Sequence, residues 1–280
     1  MRLQMFQTIS RRIVCWLVLM VLAVYSVAPL QGQVKPLVHA HAHNDYAHKR
    51  PLLDALDAGF CSVEADVYVV EGDLWVSHDP EDLKTTRRLT NLYLDPLLER
   101  ARAHQGRIYP DGPEFYLMID FKSEAVETYQ ALRNILKDYR EMLTEFGPNG
   151  VQRRAVTVVI SGNRPIDLLA SETSRLAFID GRFVDMNGNT ASSELIPWIS
   201  ENWENHFNWN GRGTMPAEEA TKLEGVIQTA HAQGRKIRFW NTPETGAYWR
   251  KAHSLGLDFI NTDRLKRLQS VLLEIESAQK

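Results

Sequence analysis

Glu64 and Asp66 stand two positions apart in the run Cys61-Ser-Val-Glu-Ala-Asp-Val67. In an extended strand, residues two apart point the same way, so the two acids share one face while Val63, Ala65 and Val67 share the other. The apolar face suits packing against helices, which leaves the carboxylates looking inward. Two carboxylates in a dry interior repel one another and are poorly solvated unless a cation neutralises them. The bland alternative is a solvated outer face. Asp120, with Lys122 two positions on, repeats the pattern in the run Phe115–Phe121. A set of Glu64, Asp66 and Asp120 offers only oxygen, which suits a hard divalent cation, Mg2+ or Ca2+, better than zinc. His43 and His78 each close an apolar run near these acids. Histidine titrates near neutrality without help, so these two are the acid–base candidates.

Positioning such residues requires a framework, and the chain supplies an alternating one. Strand patterns are expected at 36–41, 61–67, 74–78, 115–121, 155–161, 175–179, 206–209, 236–240 and 258–261, with amphipathic helical stretches at 92–104, 124–146, 217–233 and 264–277. The run 74–78 reads as a hairpin partner of the second strand, which leaves eight strands, most followed by a helix. Alternation of this kind predicts a parallel sheet with crossover helices. Eight units in about 250 residues is the size of a single (β/α)8 TIM barrel. No glycine-rich phosphate loop follows the first strand, so the usual argument for an open nucleotide-binding sheet is missing.

In a barrel, chemistry gathers at the C-terminal ends of the strands. The polar residues expected there are His39, His41, His43 and Asn44 after the first strand, then Glu64, Asp66 and His78, then Asp120 and Lys122. Ser161, Asp180 and Arg182, Asn208 to Asn210, Trp240 and Asn241, and Asp263 follow. Trp240, Asn241 and His41 are candidates for the pocket wall. Asp263 reads as a helix N-cap.

The chain has 280 residues, 44% of them hydrophobic and 24% charged, a globular composition large enough for one sizeable core. A formal charge of −3 argues against a general nucleic-acid binder. Two cysteines exclude a disulfide scaffold and a cysteine-rich zinc site. Arg2, Arg11 and Arg12 precede an apolar run from Ile13 to Leu30, the pattern of a secretory signal peptide over residues 1–32 or of an N-terminal anchor. Either reading makes residues 33–280 an exported domain, periplasmic or extracellular.

The order and spacing of His43-Asn44, Gly59 before Glu64-Ala-Asp66, Val76-Ser-His78-Asp79, Ile119-Asp120-Phe-Lys122, Phe239-Trp240-Asn241 and Asn261-Thr262-Asp263 resemble the phosphatidylinositol phospholipase C and glycerophosphodiester phosphodiesterase superfamily. Within it, His43-Asn-Asp-Tyr46, Ser62-Val-Glu-Ala-Asp-Val67 and Arg238-Phe-Trp-Asn241 look most like the branch named for the altered inheritance of mitochondria protein 6. The resemblance implies a metal-dependent phosphoric diester hydrolase on a TIM barrel. It would make His43 and His78 the general acid–base pair and Glu64, Asp66 and Asp120 metal ligands. Asn44 would be a further ligand, and Lys122 would meet the phosphate. The chain departs from the glycerol-recognising pattern at His43-Asn44-Asp45 and at His48-Lys49-Arg50, so the catalytic core is implied and glycerol specificity is not.

Two readings compete. His39-Ala-His41 and His41-Ala-His43 match the first strand of amidohydrolase-type zinc barrels, which also need histidines after later strands. A non-catalytic barrel binding a lipid headgroup or glycan is the other. The expected partner is a small-molecule or lipid phosphodiester, with no obligate protein partner. A lipid would call for an apolar rim at the mouth for peripheral membrane contact, and Trp203, Phe207, Trp209 and Trp249 are candidates for it.

Overall fold

The computed structural model describes residues 34–186 and 191–278. The segment expected to be a signal peptide or anchor, residues 1–32, lies outside the described residues. Eleven strands are found among the described residues. They are β1 (Leu37–Ala42), β2 (Phe60–Val70), β3 (Asp73–Val76), β4 (Phe115–Phe121), β5 (Glu145–Gly147), β6 (Gly150–Gln152), β7 (Val156–Gly162), β8 (Ala177–Gly181), β9 (Trp198–Asn202), β10 (Lys236–Trp240) and β11 (Phe259–Thr262).

Eight of these close into a barrel. Parallel neighbours run β1-β11-β10-β9-β8-β7-β4-β2, and β2 returns to β1. The (β/α)8 expectation is therefore met. β3 lies antiparallel on the overhanging end of β2, turned by Glu71 and Gly72. Both turn residues have positive φ, 50° and 81°, as a two-residue hairpin requires. The hairpin folds back so that Ser77 N donates to Asp66 O at 3.1 Å, which sets His78 over Asp66.

The strand pleat distributes the residues as the alternation requires. Val63, Ala65 and Val67 are fully buried against the surrounding helices, while Ser62, Glu64 and Asp66 look into the barrel. The lower interior is a dry layer of Tyr116, Met118, Val159, Trp198 and Phe259, with Trp198 stacked on Phe259 at 4.0 Å. Polar residues sit above it. Asp66 is in register with Asp120 on β4, and Asp120 with Ser161 on β7, so three neighbouring strands carry one belt toward the mouth.

Two elements differ from expectation. The sixth barrel strand is Trp198–Asn202, not 206–209. Its inward Trp198 and Ser200 are both fully buried, and the polar Ser200, Glu201 and Asn202 hide the strand pattern. The stretch 203–209 is instead a loop in which Trp203 stacks on Phe207 at 4.1 Å. Second, the helix expected to reach 146 ends at Leu136, followed by a short turn and the β5–β6 hairpin. Its signal was Gly147-Pro-Asn-Gly150, a turn between paired glycines. The apolar rim is a further correction. Trp203, Phe207, Trp209 and Trp249 are all buried in the core.

Candidate active site

The mouth opens on a cavity of about 510 Å³. His43 and Asn44 line it from the end of β1, Glu64 and Asp66 from β2, His78 from the hairpin, and Asp120 and Lys122 from β4. The far wall carries Ser161, Arg182, Arg238, Trp240 and Asn241. Each residue expected in the catalytic core is thus brought to one place.

Each histidine is fixed through Nδ1. His43 Nδ1 lies 2.7 Å from Asp263 Oδ1, and His78 Nδ1 lies 2.8 Å from Asp66 Oδ2. A carboxylate accepts, so Nδ1 carries the proton in both rings and Nε2 is left to exchange one. His43 Nε2 stands 3.7 Å from Glu64 Oε2. Burial works against charging His43, but the Asp263 hydrogen bond and the Glu64 charge outweigh it and raise its pKa. Asp263 serves as this ring's partner, not as a simple helix cap.

The three carboxylates are buried or nearly so, and one oxygen from each lies within 4.8 Å of the others. Burial opposes ionisation of Glu64, yet the Arg238 guanidinium at 3.3 Å holds its carboxyl well below the usual range. Burial pushes Asp120 up to about 6, helped by the Glu64 charge and opposed by Lys122. Asp66 is raised by burial and by Glu64. Lys122 Nζ lies 3.1 Å from Asp66 and 3.3 Å from Asp120, and these acids hold it charged despite its burial. Both His78 and Lys122 use Asp66 Oδ2. Asp66 Oδ1 is buried with no hydrogen-bond partner. An orphaned, inward carboxylate oxygen beside two further carboxylates is a donor set that could hold a metal ion.

Asn44 adopts the left-handed backbone, φ 49°, which asparagine tolerates better than most residues. Its Oδ1, the atom expected to ligate metal, accepts from Tyr46 OH at 2.6 Å. Its Nδ2 lies 2.9 Å from His43 Nδ1 and 3.2 Å from Asp263 Oδ1, and the carboxylate oxygen is the acceptor for both N–H groups.

His41 is a correction. It is fully buried below the cavity and does not line it. Its Nδ1 lies 2.8 Å from Ser62 Oγ, its ring meets Trp198 edge-on, and burial beside Arg238 lowers its pKa to about 3. His39 faces the carbonyls of Leu257 and Asp258. His39 is thus turned away from the site, while His41 and His43 both bring Nε2 toward Glu64 Oε2, at 3.8 and 3.7 Å, from below the cavity and from its wall. Trp240 and Asn241 do line the cavity, as expected.

In the sequence Arg238 stands out only within the motif Arg238-Phe-Trp-Asn241. Its spacing was informative, because it shares the inward face of β10 with Trp240 two positions on. Arg182 is held by the buried Asp180 carboxylate at 2.7 Å, which itself accepts from Ser161 Oγ at 2.8 Å.

The family model of the AIM6-like phosphodiesterase domain matches residues 29–180, more than half of the chain. The chain belongs to the AIM6-like phosphodiesterase domain family. Altered inheritance of mitochondria protein 6 of Lachancea thermotolerans is 29% identical, aligned over 86% of this chain and 67% of that protein. The Saccharomyces cerevisiae protein of that name is 28% identical over 88% of this chain and 74% of its own length. Among solved structures, a glycerophosphodiester phosphodiesterase from Parabacteroides distasonis superposes with a TM-score of 0.51 at 12% identity. It covers 86% of this chain and 99% of that one, a likeness of fold. Fold and family together make this a phosphodiesterase-type domain.

Proposed function

We propose that the chain is a metal-dependent phosphoric diester hydrolase acting on a glycerophosphodiester or phospholipid-type substrate. The observation that carries this reading is the pair of histidines flanking the carboxylate trio, each with Nδ1 committed to a carboxylate. Glu64, Asp66 and Asp120 would hold the metal, with Asn44 adjoining. An oxygen-only set favours Mg2+ or Ca2+. When bound, such an ion supplies charge neutralisation at the phosphoryl oxygens.

The chain's own groups do the rest. Lys122 adds a fixed positive charge beside the phosphate. One histidine, neutral at Nε2, takes the proton of the attacking hydroxyl, and the other, protonated there, gives one to the leaving oxygen. The attacker is a neighbouring substrate hydroxyl, giving a cyclic diester, or water.

The test is a panel of diesters, from an aryl diester through glycerophosphocholine and lysophospholipid to phosphatidylinositol. Each is run with Mg2+, Ca2+, Mn2+, Zn2+ or none, beside His43→Ala and His78→Ala. The expected result is cation-dependent turnover that falls by about 10²- to 10⁴-fold in each variant. Turnover that survives in both variants overturns the histidine roles. No turnover and no metal binding overturn the reading itself.

A further inference from the structure

Between the two histidines lies a residue that touches both halves of the machinery. Asn44 turns the chain at the end of β1, and the single 3-10 turn Asp45–Ala47 brings the Tyr46 hydroxyl between Asn44 and His78. Tyr46 is 9% exposed, and its carbonyl accepts from Arg87 Nη2, which pins its backbone. Its hydroxyl donates to Asn44 Oδ1 at 2.6 Å and stands 3.3 Å from His78 Nδ1. A phenol has one proton. That proton is committed to Asn44, so the Tyr46 oxygen faces the one His78 Nδ1 proton as a second, more distant acceptor, the first being Asp66 Oδ2 at 2.8 Å. The Tyr46 and His78 rings are nearly parallel, at 10°, with centroids 6.4 Å apart.

The same hydroxyl fixes the Asn44 amide. With Oδ1 held by Tyr46, Nδ2 is turned to Asp263 Oδ1, the atom that also receives His43 Nδ1. One oxygen atom therefore orders the surroundings of both rings. A second hold matters most at His78, whose side chain is 58% exposed and is otherwise fixed at one atom, by Asp66 Oδ2.

We propose that Tyr46 is a positioning residue that sets the orientation of His78 directly and the His43–Asp263 pair through Asn44. This rests on the phosphodiesterase reading of the site. The ring and the Arg87 contact survive in Tyr46→Phe, so that variant removes the hydroxyl and keeps the fold.

Two readouts test the proposal. In steady-state kinetics with the diester turned over best by wild type, Tyr46→Phe lowers kcat by about 10- to 100-fold, the scale of a small misplacement of a catalytic group, while KM stays within about twofold. Asn44→Ala combined with Tyr46→Phe costs less than the product of the two single losses, because they act through one hydrogen bond. Independently of turnover, ring 13C relaxation of histidine-labelled protein shows His78 ordered in wild type and mobile in Tyr46→Phe, with His104 unchanged as an internal control. Unchanged kcat in an active protein, or an equally ordered His78 ring in both proteins, overturns the proposal. If wild type turns over no diester, the relaxation comparison still decides the role of Tyr46, and the phosphodiesterase reading fails separately.

Discussion

Asp45 follows the candidate ligand Asn44 and is fully buried. Its Oδ2 accepts from Leu52 N at 2.5 Å and from Tyr93 OH at 2.9 Å, while Oδ1 has no partner. Two hydrogen bonds do not repay the loss of water, and burial pushes the carboxyl from 3.8 up to about 7. A carboxyl whose folded pKa is raised contributes stability that is complete below the unfolded value and is lost as pH rises toward the folded one. The shift is about 3 units at about 1.4 kcal/mol each, so ionising Asp45 costs the fold about 4 kcal/mol. Asp45→Asn keeps an oxygen for Leu52 and Tyr93 and cannot ionise. Its amide nitrogen, placed where Oδ1 now lies, carries a penalty that does not change with pH. Urea unfolding followed by tryptophan fluorescence, for both proteins from pH 4.5 to 8.5, isolates the carboxyl, because other titrating groups cancel in the difference. The variant gains about 2 kcal/mol on wild type between pH 5 and pH 7, and the difference is flat above pH 8. A difference that does not change with pH, or that moves against the variant as pH rises, refutes the argument that Asp45 is buried at an ionisation cost.

Other perturbations follow from the same geometry. Arg238→Met strips Glu64 of its main counter-charge and costs about 3–5 kcal/mol in urea unfolding. Adding Glu64→Gln to it recovers part of that loss, and strictly additive effects would show that the pair is not coupled. Divalent cation raises the melting temperature of wild type, and Asp66→Asn removes that rise. An equal rise in the variant places the ion elsewhere. Gly162 has φ 66°, and a Cβ there would overlap Asp120 Oδ1 and Phe121 O. Gly162→Ala therefore lowers cation affinity by about tenfold or more through Asp120, read by calorimetry, because a tenfold loss needs only about 1.4 kcal/mol. Unaltered affinity would remove Asp120 from the ligand set.

The barrel was legible because eight strand patterns recur along the chain, most of them followed by a helical stretch, and each repeat constrains the others. Glu64, Asp66 and Asp120 were legible because acids on an otherwise apolar strand face need a reason to be there. The strand at 198–202 was missed because its outward and inward residues are both mixed, and the aromatic run after it looked more like a strand than the strand did. The partners were less visible than the residues they serve. His43 and Asp263 are 220 positions apart, and Glu64 and Arg238 are 174 apart. No local pattern links residues so distant, and only barrel closure between β1 and β11, and the inward face of β10, bring them together. Tyr46 ends the run His43-Asn-Asp-Tyr46 but carries no local signal of its role, since a tyrosine beside a turn is usually packing.

The interior charges, counted together, explain why a cation belongs in this reading. Setting aside the two catalytic histidines and Asp263, Glu64, Asp66, Asp120 and Asp180 face Lys122, Arg182 and Arg238, while His41 stays neutral. These groups leave one net negative charge around the cavity, and a phosphodiester brings another. Like charges in a poorly solvated pocket disfavour binding, so Lys122 and Arg238, each already tied to carboxylates, do not suffice to receive an anion. A divalent ion at the free Asp66 oxygen reverses the sign to one net positive charge. The substrate charge then matches the pocket charge. The same count says what the far wall contributes: Arg182 is cancelled by Asp180, so Ser161, Trp240 and Asn241 present hydrogen-bonding and apolar surface, not net charge, to the part of the substrate beyond the phosphate.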